Sequence, residues 1–238
     1  MIATPFYQSS AFVEYIVSLM KTVDILNRLG IEWTWTKVTG DAYVDHAKNN
    51  IMGEFLDSTC TDLFMIDSDM GWDTDGFMKV LFNNYEYVGA TYPKKCDGEF
   101  TVAIRTKKDR TPLVTPDGLI EAEWVPGGFV RFQRSAVQRM ASAHATLNIH
   151  GWCEYTDPSS SKKAGHTANM YECKVQNGAR FTEDVIFALK WREIGGKIYC
   201  EPRVHLTHTG PFSWAGCYHE FLMKQPRPVM PIGPQFSD

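Results

Sequence analysis

The sequence lacks any run of about eighteen apolar residues, which excludes a hydrophobic membrane-spanning helix. Met1-Ile2-Ala3-Thr4-Pro5 has no basic stretch followed by an apolar segment, so no secretory signal is expected there. No two cysteines stand in a Cys-x-x-Cys spacing. The cysteines at 60, 96, 153, 173, 200 and 217 suit neither a zinc knuckle nor a small disulfide framework. Cys60 and Cys200 sit in or beside apolar runs and are expected as buried thiols, which points to a reducing, cytoplasmic setting. His150 and Cys153, with Cys173 further on, have the residue types of metal ligands and form a weak alternative grouping. An excess of positive charge is also missing. With 24 Lys and Arg against 28 Asp and Glu, the net charge of −4 excludes a broadly basic nucleic-acid surface. Lys94, Lys95, Arg105, Lys107, Lys108 and Arg110 form a local basic cluster, which reads first as a solvated loop face. Internal repeats and low-complexity linkers are absent, and Met1–Ser10 contains no glycine.

What is present fits one large α/β domain. The chain has 238 residues, of which 44% are hydrophobic and 22% charged, enough apolar material for a packed core. Met1–Thr4 reads as a strand followed by a loop at Pro5–Ser10. Phe12, Ile16, Leu19, Val23 and Leu26 recur at helical spacing, and Gly30 marks the stop. Ile31, Trp33 and Trp35 alternate with polar residues as a second strand. Asp41 caps a helix whose expected buried stripe is Val44, Ala47, Ile51 and Phe55. Leu63-Phe64-Met65-Ile66 is a short continuous apolar run, expected as a strand buried on both faces of a mostly parallel sheet. Thr74 then caps a helix carrying Phe77, Val80 and Leu81, and Tyr87–Ala90 is the next strand. This alternation is that of an open α/β sheet flanked by helices.

Further along, Pro116-Asp117-Gly118 is a turn between strand-like segments near Leu113 and Leu119–Trp124. Gly127-Gly128 leads into Phe129-Val130, and Ser135 caps a helix through Met140. Residues 156–180 are polar and read as a long loop. Thr182 caps a helix with Ile186 and Leu189 inside, ended by Gly195-Gly196. Lys197–Cys200 and Val204–Thr207 are the last expected strands. We expect a domain over 1–224, divisible into a nucleotide-binding half (1–100) and an acceptor and catalytic half (101–224), and a proline-rich tail over 225–238.

The chemistry concentrates where the apolar run meets Asp67-Ser68-Asp69. Alternate residues at a strand end point the same way, so both carboxylates can face one site. The carboxyl ends of parallel strands are where open α/β sheets bind ligands. Two hard anionic oxygens there suit Mn²⁺ or Mg²⁺, which can bridge the phosphates of a nucleoside diphosphate. The bland reading is a turn with two solvated acids.

Four segments in register resemble those of GT-A glycosyltransferases, in particular small single-domain phage and bacterial members. They are Leu63–Asp69, Val88–Lys95, Gly127-Gly128-Phe129, and Thr182–Phe187 followed by Val204–Gly210. The likeness spans about residues 1–216. It implies a GT-A, Rossmann-like open sheet and a metal-dependent transfer of sugar, a hexose by expectation, from a UDP- or GDP-sugar. It further implies Asp69 as a direct metal ligand, Asp67 on the ribose or a metal-bound water, and His208 as the histidine completing the metal shell, with His205 as its rival. Asp184 is the implied general base, with Glu183 as a substitute or acceptor-holding acid. Acids at a helix N-terminus also have the simpler role of offsetting the macrodipole. Gly127 and Gly128 are implied to let the backbone approach the sugar. The Thr4-Pro5-Phe6 loop is implied to touch the base. Related sequences commonly carry Ala-Arg-Asn where this chain has Ala47-Lys48-Asn49, so Lys48 keeps the charge for a phosphate contact but not a bidentate fork. Lys94 is a second phosphate partner, and Trp72, Trp124, Trp152 and Trp214 are candidates for stacking on a base or sugar.

The acceptor is expected to be a hydroxyl group, on a glycan or on a hydroxymethylated pyrimidine in DNA, with action in the host cytoplasm if the source is viral. Two other classes stand beside this one. A nucleotidyltransferase would also use paired acids and a divalent ion, but with a glycine- and lysine-rich N-terminal loop for the triphosphate. A non-catalytic sugar-nucleotide-binding module would keep the fold without turnover.

Overall fold

In this computed structural model, residues 1–7, 10–96, 98–144, 146–147 and 167–224 are described. His150, Trp152, Cys153, residues 156–166 of the expected loop and the 225–238 tail lie outside them. In chain order the elements are β1 (Ile2–Phe6), α1 (Val13–Arg28), β2 (Trp35–Thr39), α2 (Val44–Asp57), β3 (Asp62–Ile66), β4 (Met70–Trp72) and α3 (Thr74–Phe82). There follow β5 (Tyr87–Gly89), β6 (Ala103–Ile104), β7 (Ile120–Trp124), β8 (Phe129–Gln133), α4 (Arg134–Ala143), β9 (Thr146–Leu147) and β10 (Thr167–Ala168). The last are β11 (Lys174–Gln176), β12 (Ala179–Phe181), α5 (Glu183–Glu193), β13 (Ile198–Cys200), β14 (His205–Thr209), β15 (Ser213–Cys217) and α6 (Tyr218–Lys224).

Eight strands form the central sheet, in the order β2-β1-β3-β8-β5-β13-β7-β6. Only β8 and β7 run against the common direction, so strand direction is mostly parallel although each reversed strand makes antiparallel ladders with its neighbours. β8, from the second half of the chain, lies between β3 and β5 of the first half, so both halves build one sheet. Burial on both faces explains the continuous apolar run of β3. Leu63 and Met65 pack into one core with Phe55, Phe132 and Trp191, while Phe64 and Ile66 pack into the other with Phe77, Phe129 and Trp72. A smaller sheet, β15-β14-β4, stands beside it.

Several expected elements are displaced. β1 continues through Pro5 and Phe6, paired in parallel to β2, where a loop was expected from Pro5. β2 begins at Trp35, where Ile31–Trp35 was expected. The cap of α3 is Asp73, whose carboxylate accepts from Gly76 N–H, and not Thr74. Within 156–180 the described part carries β10, paired with β9, and the hairpin β11–β12. The largest departure is the face of α1. Tyr15, Ser18, Thr22 and Leu26 are buried, while Phe12 and Ile16 of the expected stripe are exposed. Polar groups win that face because β4 needs them: the Trp72 backbone N–H donates to Ser18 Oγ at 2.9 Å and its indole N–H to Thr22 Oγ1 at 2.8 Å.

Candidate active site

β3 leaves the large sheet at Ile66, and after a tight turn the chain enters the small sheet as β4. The turn is held at both ends: Asp67 N–H donates to the Gly128 carbonyl at 3.0 Å, and the Asp67 carbonyl accepts from Met70 N–H at 3.1 Å. Because β4 pairs with β14, His208 lies opposite Met70, and Thr209 N–H donates to the Asp69 carbonyl at 2.8 Å. A ladder between residues far apart in sequence thereby brings His208 to Asp69, with His208 Nε2 at 3.4 Å from Asp69 Oδ2. The same oxygen accepts from Lys95 Nζ at 2.7 Å. His208 Nδ1 lies 3.0 Å from the Pro93 carbonyl, which only accepts, so Nδ1 carries the hydrogen. A neutral ring with its hydrogen on Nδ1 would offer the Nε2 lone pair to a metal ion, whereas a ring protonated on both nitrogens donates from Nε2 to Asp69.

Asp67 completes this corner. Its Oδ1 is buried and has no hydrogen-bond partner among the described residues. Burial lifts its carboxyl to about 6 against the pull of Lys48, with Asp69, Glu183 and Asp184 pushing the same way as burial. Asp69 lies below the ordinary carboxylate value, since His208 and Lys95 outweigh the burial that would raise it. The donor types, two carboxylates and an imidazole with one orphaned buried acceptor, suit a divalent cation of the Mn²⁺ or Mg²⁺ kind, but their ligand atoms do not all lie within 4.8 Å of one another, so side-chain rotation would have to close the set.

The opposite wall comes from the start of α5. Lys48, 1% exposed on α2, donates to Glu183 Oε1 at 2.9 Å. Burial would lower its ammonium pKa, but Asp67, Glu183 and Asp184 raise it above the ordinary value, so it stays charged. Glu183 lies below its usual range because Lys48 outweighs burial. Asp184 is fixed by its own turn: Oδ1 accepts from the Val185 N–H at 2.9 Å and from the Thr182 hydroxyl, and Oδ2 accepts from Gly127 N–H at 3.3 Å. The glycine loop seals the layer between. A Cβ on Gly127 would lie 2.6 Å from Lys48 Nζ, and one on Gly128 would lie 2.5 Å from the Tyr92 hydroxyl, which accepts from Gly128 N–H at 3.2 Å.

A cleft of about 410 Å³ opens between these walls, with Asp184, His208, Tyr92, Lys94, Lys95 and Trp124 on its lining. The structure thus gathers Asp67, Asp69, His208, Glu183, Asp184, Gly127, Gly128 and Lys94 in one region. Other expected contact residues turn their side chains into the protein or are engaged by neighbours. The Thr4 hydroxyl is buried against the Tyr15 hydroxyl at 2.5 Å, and the Phe6 ring packs edge-on to Tyr15 and Trp35, so both face the core; Pro5 lies between them in β1. The Lys48 ammonium is held by Glu183 behind Gly127. His205 stands an odd number of positions from His208 on β14 and so on its other face, which removes it as a rival ligand to Asp69. Trp72 is core, whereas Trp214 on β15 stands directly opposite His208, on the same face of the ladder, with its ring edge-on to Phe212. Lys94 and Lys95 are paired with Glu99 and Asp69, and Arg105 with Glu121 and Glu123, so these members of the basic cluster are engaged by carboxylates. Lys95 and Tyr92 were not singled out as metal-corner residues by the sequence, although both lie in the Val88–Lys95 segment.

No known sequence family matches the chain, and no curated protein matches it in sequence. Solved structures do. A197 from STIV superposes with a TM-score of 0.50 at 14% identity, over 88% of this chain and 84% of that one. The inositol-1-phosphate CTP transferase from T. maritima gives 0.41 at 12% identity, over 87% and 88% of the two chains. The 4-diphosphocytidyl-2C-methyl-D-erythritolsynthase from Anaerococcus prevotii DSM 20548 gives 0.30 at 9% identity, over 62% and 77%. At such identities a likeness speaks to the fold alone. The chain has a GT-A-like, Rossmann-like α/β fold, shared with A197 over most of both chains.

Proposed function

We propose that the protein is a glycosyltransferase that moves a sugar, a hexose in our reading, from a UDP- or GDP-sugar to an acceptor hydroxyl with the help of Mn²⁺ or Mg²⁺. The reading rests above all on Asp184 and His208 lining one cleft, with Asp69 Oδ2 beside it at 3.4 Å from His208 Nε2 and Asp67 Oδ1 buried without a partner among the described residues. Asp69 and His208 Nε2, with Asp67, would hold the ion, which when bound there offsets the charge that develops on the departing nucleoside diphosphate. Lys95 then leaves Asp69 for the diphosphate, and Lys94 lies beside it on the cleft wall. Gly127 and Gly128 leave room for Lys48 and for the Tyr92 ring, which lies on the cleft wall.

Asp184 takes the proton from the acceptor hydroxyl as that oxygen attacks the anomeric carbon. The new carbon–oxygen bond forms as the bond to the diphosphate breaks, and its electron pair leaves with the phosphate oxygen. Glu183 is the poorer base of the two, because its ion pair with Lys48 holds it below its ordinary value. Its role is to keep Lys48 charged and in place under the glycine loop.

The test is a panel of UDP- and GDP-hexoses with Mn²⁺ in chelator-treated buffer, followed by nucleotide release and the anomeric configuration of the product. We expect UDP or GDP release that vanishes in Asp69→Ala and falls by about 10²–10⁴ in Asp184→Asn. No release from any nucleotide-sugar, with pyrophosphate formed from a nucleoside triphosphate instead, overturns the reading in favour of nucleotidyl transfer.

A further inference from the structure

We propose that His205, Cys217 and Glu220 form a second metal site, separate from the Asp69 corner, that binds Zn²⁺ and clasps α6 to the small sheet. Three local geometries bring the ligands together. His205 and Cys217 are directly opposed across the antiparallel β14–β15 ladder, so their side chains share one face. Cys217 is the last residue of β15, and the first turn of α6 brings Glu220, three residues on, back over it. An imidazole nitrogen, the thiol sulfur and a carboxylate oxygen all lie within 4.8 Å of one another. Tetrahedral zinc, with ligand bonds of about 2.0–2.3 Å, spaces its ligands about 3.3–3.8 Å apart. The remaining closure is a matter of rotamers, since His205 and Glu220 are exposed while Cys217 is fixed at 5% exposure.

Chemistry favours zinc over the ion of the cleft. A nitrogen, a sulfur and an oxygen ligand make a borderline-soft set, whereas the Asp67–Asp69 corner is harder. Among the described residues the His205 imidazole and the Glu220 carboxylate have no hydrogen-bond or ion-pair partner, so nothing there competes for them. The Cys217 S–H donates to the Pro202 carbonyl at 3.3 Å. Zinc displaces that proton to solvent and takes the thiolate, and one water fills the fourth position. Thiolate and carboxylate together balance the charge of Zn²⁺, which suits a half-buried place. The His205 backbone is already set, because its N–H donates to Asp73 Oδ1 at 2.7 Å, on the residue that caps α3. Zinc there stiffens β14, the strand that presents His208 on its opposite face.

The test uses the full chain, stripped of metal and kept reduced with a phosphine, and titrates it with Co²⁺ followed by displacement with Zn²⁺. We expect one equivalent of tetrahedral cobalt with a thiolate-to-cobalt absorption band, present equally in the parent and in Asp69→Ala. The band should disappear in Cys217→Ser and need at least tenfold more cobalt in His205→Ala and Glu220→Gln. Those last two change exposed residues, so they keep the test meaningful should Cys217→Ser fold poorly. Zn²⁺ should raise Tm in the parent and in Asp69→Ala but not in His205→Ala. A missing thiolate band, a band that survives Cys217→Ser, or equal zinc stabilisation in His205→Ala overturns the proposal, whatever the activity at the cleft.

Discussion

Lys48→Met is the sharpest probe of the layer beneath the cleft. The ammonium is 2.9 Å from Glu183 Oε1, with 2% of the Lys48 side chain and 13% of the Glu183 side chain accessible. At an effective dielectric of about 20, two unit charges at this separation attract by about 6 kcal/mol, a gain largely cancelled by the cost of burying both. Removing one partner keeps the burial cost and loses the attraction, which costs about 3–5 kcal/mol. In a chain of this size that lowers Tm by roughly 10 °C. The pH dependence carries the mechanism. In the parent, Lys48 holds Glu183 below its ordinary value, so that contribution is present above the unfolded carboxyl pKa and is lost as pH falls through the folded one. Asp67 is the opposite case: raised to about 6, it favours the fold below its unfolded value, and that preference is lost as pH rises through 6. Without Lys48 both carboxyls move up. The deficit of the variant should therefore be largest near pH 8 and shrink towards pH 5, and Lys48→Met with Glu183→Gln should recover part of it. Denaturant unfolding at both pH values measures this. A deficit under 1 kcal/mol at pH 8, or one that grows in acid, refutes the electrostatic account.

Three further perturbations separate the parts of the site. Lys95→Ala frees the Asp69 carboxylate from an ammonium 2.7 Å away, so Mn²⁺ should bind several-fold more tightly while the nucleoside diphosphate binds more weakly; titration calorimetry reads both, and equal signs would contradict the exchange of partners. Gly128→Ala places a Cβ 2.5 Å from the Tyr92 hydroxyl and 2.9 Å from its ring, and Tyr92 packs edge-on to His208 at 4.8 Å, so metal affinity should fall with a stability loss of about 1–3 kcal/mol. Arg131→Met removes donors to the carbonyls of Tyr85 at 2.5 Å and of Leu81 and Asn83 at 2.8 Å, together with the 3.0 Å pair to Asp62. Chemical denaturation should show a loss of about 3–5 kcal/mol, with metal binding retained.

Local rules reached the elements whose residues serve their own segment. The Leu63–Ile66 run must be a doubly buried strand, and the acids directly after it must emerge at the sheet edge. They failed where a residue serves a distant partner. Lysine ordinarily marks a solvated position, so nothing in Ala47-Lys48-Asn49 shows that Lys48 is buried to meet the first turn of α5. Nor does it show that Asn49 is buried, accepting from the Met170 and Tyr171 N–H groups at 3.0 and 2.9 Å. The apolar residues of α1 placed its buried face only in part, with Leu26 buried but Phe12 and Ile16 exposed, for the same reason: Ser18 and Thr22 are engaged by Trp72, fifty or more positions away. In the sequence only the nearby Gly210 ranks His208 above His205, whereas the β14–β4 register decides between them by bringing His208 to Asp69 and leaving His205 on the other face.

The position of the two acids also explains why the site needs both sheets. Asp67 comes directly after β3 of the large sheet, and its neighbours are Lys48, Glu183 and Asp184. Asp69 leads directly into β4 of the small sheet, and its neighbours are His208 and Lys95. Only Ser68 separates them, so any cation shared by Asp67 and Asp69 is bonded to both layers at once. A rotation of the small sheet against the large one would spread its ligands before it disturbed either core. Metal binding should therefore protect the backbone amides of β4 and β14 from hydrogen exchange more than those of β1 or β5, which lie wholly in the large sheet. Equal protection throughout would mean that the ion rests on one layer alone, and would separate Asp67 from the metal shell.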